Sequence, residues 1–308
     1  VGDPTLTLKI IGAVGDVDSA APSYAMWDLS RLVANSPALT RAFDDGVAGL
    51  MTQLRDLDNS DATALLSSLD DFMFRFGSRG PNEWDLHAHV WETKPELVLS
   101  AIDRMRFASD DESPARRHAD REHERDAIVA HVTEALAGDL EAQGQFLAGV
   151  ASAAQFVPGR ERSKTSIIKV IHECRLATWE LGRRLVDAGG AGEQRDICML
   201  FTDEIDQALD DPRWARKTIA ERQAHFDHLQ TLEPPFIFDG ECPPVDTWPR
   251  KGANTVEVLG AGGTMQGVPG SSGTYRGIAR IVLDPGDPTA LDPGDVLVAP
   301  HTDPAWTP

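Results

Sequence analysis

Up to about residue 235, apolar positions recur at three- and four-residue spacing, the period of helices that bury one face. The punctuation divides this stretch into elements. Helices are expected over 23–34 and over 37–57, the second with Ser36 as its N-cap. A third covers 61–76 and stops at Gly77, and a fourth follows Thr93 through Arg106, with Glu96 completing a capping box. The charged segment from Pro114 runs into Ile128, Val132 and Leu136 and ends at Gly138. Helices over 140–156 and 160–188 come next, the latter closing at Gly189–Gly190. Thr202 is expected to cap a short helix, and Pro212 opens the last, which ends before Pro234–Pro235.

Beyond residue 235 the texture changes. Pro and Gly become dense, and apolar residues gather in short β-branched runs. The segment 255–259 alternates weakly. The runs 278–283 (IARIVL) and 296–299 (VLVA) read as buried strands. The fold class is therefore mainly α: a multi-helix domain over 1–235, a Pro/Gly-rich linker over 236–262, and a short β-rich segment over 263–308.

Charge narrows the function. The chain of 308 residues carries 49 acidic and 29 basic side chains, a formal net charge of −20. That excess opposes nucleic acid and anionic membranes as partners. With neither a spanning-length apolar run nor a basic-then-apolar leader pattern, a cytoplasmic protein is expected. Cys174, Cys198 and Cys242 lie far apart, in a spacing that gives no disulfide framework and no metal site. Cys174 is expected as a small buried apolar residue.

Two places gather chemistry. Arg160 and Lys164 are four apart and continue into Ile167, Ile171, Cys174, Thr178, Leu181 and Leu185, a largely apolar stripe expected to face the core. Two cations in a first helical turn oppose the helix macrodipole, so a partner anion is needed. That anion is either a carboxylate of this acidic chain or a bound group. The second place is the loop Arg79-Gly80-Pro81-Asn82-Glu83-Trp84-Asp85, which lines a site or closes locally through an Arg79 pair with Glu83 or Asp85. His87 and His89 lack further metal ligands at a recognisable spacing, and His172 beside Glu173 points to a different side of its helix. The Gly-rich segment 267–273 matches no phosphate-loop pattern.

The tail carries a resemblance. Pro269-Gly270, Gly277-x-Ala279-Arg280, Gly294-Asp295-Val296-Leu297-Val298 and Thr302-Asp303-Pro304 stand in one order. They resemble the opening of the β/β/α phosphohistidine domain of phosphoenolpyruvate-utilising phosphotransferases. In that family a histidine shortly after the TDP element carries the phosphoryl group, and here it would lie beyond Pro308. The helical part resembles the rifampin phosphotransferase-like members: FGSRGPNEWDL resembles their RG-x-x-E-x-D loop, RERSK their R-E-x-x-K element, and Asp196–Leu200 with Asp203-Glu204 the segment after the long helix.

The resemblance implies an ATP-dependent phosphotransferase of dikinase type. The helical domain would bind a small-molecule acceptor, with Arg160 and Lys164 at the phosphoryl-receiving site; Arg79, Glu83 and Asp85 stay a candidate site loop on their composition alone. It implies ATP and Mg2+ on an ATP-grasp domain outside this chain, so the chain alone is expected to bind neither and to be inactive. A phosphoenolpyruvate synthase-like enzyme and a non-catalytic small-molecule-binding module are the alternatives. Unfinished sheet edges in the tail would favour edge-strand self-association.

Overall fold

The computed structural model describes residues 5–12, 14–15, 18, 20–235, 237–251, 259–260, 262–267, 274–282 and 294–299. The segments 255–258, 268–273 and 300–308, with the Pro269-Gly270 and Thr302-Asp303-Pro304 elements, lie outside the described residues. The described chain is mainly helical, with ten α-helices and two short strands. It divides into two units, residues 1–172 with 273–308, and residues 173–272.

The first unit holds α1 (Thr5–Ile11), α2 (Ala21–Ala34), α3 (Pro37–Asp44), α4 (Leu50–Asp56), α5 (Ser60–Phe76), α6 (Glu96–Met105), α7 (Pro114–Ala135) and α8 (Leu140–Asp187) as far as His172. Helix α2 touches α3, α5, α6 and α7, so it forms the axis of the packing. Met26, Leu29 and Val33 of α2 meet Leu65, Leu69 and Phe72 of α5 and Leu99 and Ile102 of α6 in one core. Each such large side chain, fully buried, contributes about 1.5–3 kcal/mol.

The local chemistry explains where these helices begin. Ser36 is the expected cap: its Oγ accepts from the Leu39 amide at 3.4 Å and donates to Asp61 Oδ2 at 2.6 Å, tying the starts of α3 and α5 together. Asn59 Oδ1 accepts from the Asp61 and Ala62 amides at 2.7 and 3.3 Å.

Three expectations are corrected. The helix expected over 37–57 is two helices, because Gly46 (φ +95°) and Gly49 (φ +73°) turn the chain through left-handed backbone. Thr93 does not cap α6. Its Oγ accepts from the Val90 amide at 2.9 Å, and Pro95 precedes the helix. The helices expected over 140–156 and 160–188 are one 48-residue helix with Pro158 inside it. A proline removes one backbone bond and kinks a helix at a cost of about 3 kcal/mol, which a long helix can absorb.

In the second unit, the end of α8 packs with α9 (Ile205–Asp210), α10 (Pro212–Gln230) and the 3-10 turn Gln194–Met199 around Leu185, Ile197, Leu200, Ala208, Ala215 and Ile219. Gly182 permits this packing: a Cβ there would lie 1.7 Å from the Gln194 carbonyl oxygen. Thr202 is not the expected cap. The Glu204 carboxylate closes the short turn Thr202–Glu204 by accepting from the Phe201 amide at 2.7 Å, and it also takes both ends of the Arg222 guanidinium at 2.6 and 2.7 Å.

The tail forms β1 (Ala279–Ile281) and β2 (Val296–Val298), paired in parallel with Ala279 opposite Val296. The expectation that these strands are buried is corrected: Ile278 and Ile281 are exposed and Val282 is buried. A lone two-stranded sheet bares both faces, and among the described residues these strands pair with each other alone.

Candidate functional site

The segment after α5 turns back on itself. The Trp91 amide donates to the Arg79 carbonyl at 2.9 Å, and the Glu92 amide donates to the Gly77 carbonyl at 3.0 Å. The contact is tight enough to require glycine. A Cβ at Gly80 (φ +153°) would lie 3.0 Å from Val90 Cα, and one at Gly77 would lie 2.9 Å from Glu92 Cβ. Phe72 anchors this strip from below, its ring 5.5 Å from that of Trp91.

Within the loop, Glu83 is buried at 4% relative exposure. Its Oε2 accepts from Arg79 Nε at 2.7 Å and from the Gly80 amide at 3.4 Å. Its Oε1 faces Lys164 Nζ of α8 at 3.1 Å. Two of the sequence candidates, the loop and the basic pair, are thus joined at one carboxylate. The Arg79 side chain is as dry as Glu83, whereas that of Lys164 is 23% exposed. Two cations share one anion, so the cluster carries a surplus positive charge, and Lys164 is its side open to solvent. Ser78, next to Arg79, adds a buried hydroxyl with no hydrogen-bond partner among the described residues.

The remaining candidates are placed differently. Arg160 is exposed and pairs with neighbouring Glu161, not with Glu83. It lies well inside α8, not in a first turn, so the macrodipole argument does not apply to it. Asp85 is exposed, and its Oδ1 accepts from the His87 amide at 2.9 Å, closing the turn. His89 Nδ1 is 3.4 Å from Thr93 Oγ1. Among the described residues no group of three or more His, Cys, Asp or Glu side chains is placed to hold a metal ion.

The stripe expected to be buried on α8 is also corrected. Ile167 and Cys174 are exposed, and the buried line runs through Ile168, His172, Arg175, Trp179 and Leu185. The face is turned by one residue because it contains a histidine and an arginine, which apolar periodicity does not count. The sequence offers His172 only its neighbour Glu173. It is buried, and its Nε2 lies 3.0 Å from Glu92 Oε2. No local motif signals a pair 80 positions apart. An open groove of about 440 Å3 between α2 and α5, lined by Asp28, Leu32, Ser67 and Arg75, contains none of the candidates.

Fold and site together define a mainly helical domain with a buried Arg–Glu pair that a partly exposed Lys joins, followed by a short parallel strand pair. Residues 1–161 match the family described as the rifampicin phosphotransferase fourth domain. The chain belongs to this rifampicin phosphotransferase-like, phosphoenolpyruvate-utilising family. The match contains Arg79, Glu83 and Arg160 and ends three residues before Lys164. A rifampicin phosphotransferase of Streptomyces sviceus is 26% identical over 253 residues, 80% of this chain and 28% of the relative. One from Bacillus subtilis is 26% identical over 251 residues, 77% of this chain and 27% of the relative. An uncharacterised protein of Mycobacterium tuberculosis is 34% identical over 155 residues, 50% of this chain and 17% of the relative. The chain thus spans less than a third of each of these relatives.

Proposed function

We propose that this chain is the receiving side of an ATP-dependent phosphotransferase, and that the Arg79–Glu83–Lys164 cluster seats the phosphoryl group as it passes to a hydroxyl of a small-molecule acceptor. One observation carries the reading: a buried carboxylate holds two cations, one of them reachable from solvent, with one positive charge in excess. A dry carboxylate fixes the cations, and fixed cations stabilise developing negative charge better than mobile ones.

In the step itself, the bond from phosphorus to its donor breaks and a bond to the acceptor oxygen forms. The hydroxyl proton ends on the departing donor atom. A phosphohistidine donor is what the tail's resemblance implies. Lys164 meets the equatorial oxygens, Arg79 and Glu83 hold Lys164 in place, and the buried Ser78 hydroxyl is a further donor. Arg160, one helical turn before Lys164 and exposed, approaches the bound group from the solvent side. ATP and Mg2+ are assigned no residues of this chain.

In this reading residues 1–235 are the acceptor-binding domain, 236–262 the linker, and 263–308 the opening of the mobile domain, in a cytoplasmic enzyme whose ATP-grasp domain is a partner within the longer protein. Proteins named rifampicin phosphotransferase match most of this chain, so a rifamycin is the first acceptor to test. The test is a screen of hydroxyl-bearing compounds, rifampicin among them, on the full-length protein, following AMP release. Acceptor-dependent AMP release that Lys164→Met abolishes supports the proposal. Release unaffected by Lys164→Met would refute the assigned seat.

A further inference from the structure

His172 is a buried titratable group that the proposed transfer does not use. Its Nε2 lies 3.0 Å from Glu92 Oε2, and Glu92 belongs to the strip that runs beside Gly77–Gly80. The pairing there is direct. Trp91 donates to the Arg79 carbonyl at 2.9 Å, and Glu92 donates to the Gly77 carbonyl at 3.0 Å. The packing leaves no slack, since even a methyl group at Gly77 would press on Glu92 Cβ at 2.9 Å. Displacing Glu92 therefore displaces the backbone that carries Arg79.

On α8, Lys164 and His172 are eight residues apart, about 12 Å along the axis and on one side of the helix. Ile168 lies between them and is fully buried. The loop is thus tied to the helix twice, by Glu83 to Lys164 and by Glu92 to His172. A segment held at one point can pivot about it. A second tie two turns away removes that freedom.

We infer, resting on the reading above, that His172 is a positioning residue for the phosphoryl seat: through Glu92 it fixes the strip from which Arg79 and Glu83 project, and so sets where Lys164 meets its anion. It touches no bound group itself. The tie needs an N–H on Nε2, which both the neutral ring with that tautomer and the imidazolium supply. Glutamine keeps an N–H donor at this site, and alanine at position 92 removes the acceptor. The Glu92 side chain is 46% exposed, so its truncation opens no cavity in the core.

The experiment uses the 308-residue chain and inorganic phosphate as the probe. Phosphate affinity is measured by isothermal titration, and amide exchange across residues 77–93 by mass spectrometry, for wild type, Lys164→Met, Glu92→Ala and His172→Gln. Lys164→Met is expected to abolish phosphate binding. Glu92→Ala is expected to weaken it about five- to tenfold and to speed exchange at residues 77–80, with His172→Gln staying within about twofold of wild type. Wild-type affinity and exchange in Glu92→Ala, with binding abolished in Lys164→Met, would overturn the role of His172 and leave the seat standing. No phosphate binding by the wild type would overturn the seat, and the positioning role with it.

Discussion

Lys164 Nζ lies 3.1 Å from Glu83 Oε1, while the other oxygen of the same carboxylate accepts from Arg79 Nε at 2.7 Å. One buried anion thus serves two cations. This makes the three side chains unequal. Removing Lys164 leaves Glu83 still paired with Arg79. Removing Glu83 leaves two cations facing each other, one of them dry.

Glu83→Ala is therefore expected to destabilise the first unit by about 3 kcal/mol, the cost of breaking a buried ion pair from one side. Lys164→Met, which keeps the aliphatic stem, is expected to cost about 1 kcal/mol. Urea denaturation of the two variants checks the order. An equal or reversed ranking would show that Glu83 is not the hub.

Arg160→Ala separates binding from stability. The side chain is 76% exposed, so its loss should change stability by less than about 0.5 kcal/mol. Phosphate affinity is expected to fall severalfold as one nearby positive charge is lost. A variant with wild-type phosphate affinity would remove Arg160 from the site.

Phe72→Ala tests the support beneath the loop. Phe72 is buried in the core and meets both Phe76 and Trp91, with ring centroids 5.3 and 5.5 Å away. The truncation is expected to cost about 3–5 kcal/mol. It should also speed amide exchange at Trp91 and Glu92 more than in α7. Uniform changes across the unit would show that the strip does not depend on this contact.

In the second unit, Glu204 is held down to a pKa of about 2, first by the hydrogen bonds from Arg222 and then by the Phe201 amide. Its ordinary value is 4.5, so the folded state is favoured by this group above that pH, and the contribution is lost as pH falls from 4.5 towards 2. Thermal melts at descending pH should show a steeper loss for wild type than for Glu204→Gln over that window. Parallel curves would mean that the Glu204–Arg222 pair contributes nothing to acid sensitivity.

Much of the fold was legible in the sequence because its signals are local. Ser36 before Pro37, Gly77 after Phe76 and Pro212 at the first position of α10 mark helix ends through caps, turns and missing donors, and the structure keeps all three. Pro158 misleads because a proline breaks a helix or kinks it, and only the packing decides which. The phase of α8 was not legible for a related reason. Its buried line includes His172 and Arg175, which count as polar until a partner is known. Of the proposed site, the loop 79–85 and Lys164 stand out in the sequence one by one, the loop by its mixed polar composition and the lysine by its resemblance. Their meeting at Glu83, and the second tie from His172 to Glu92, depend on residues 81 and 80 positions apart, which no spacing rule connects.

The most direct measurement is a crystal structure of the chain grown with tungstate, a heavy analogue of phosphate, located by its anomalous signal. An anomalous peak within hydrogen-bonding distance of Lys164 Nζ, with Glu83 still bridging to Arg79, is the expected result. Ordered tungstate found elsewhere, with Lys164 and Glu83 in contact and bare of it, would contradict the assignment of this cluster as the phosphoryl seat.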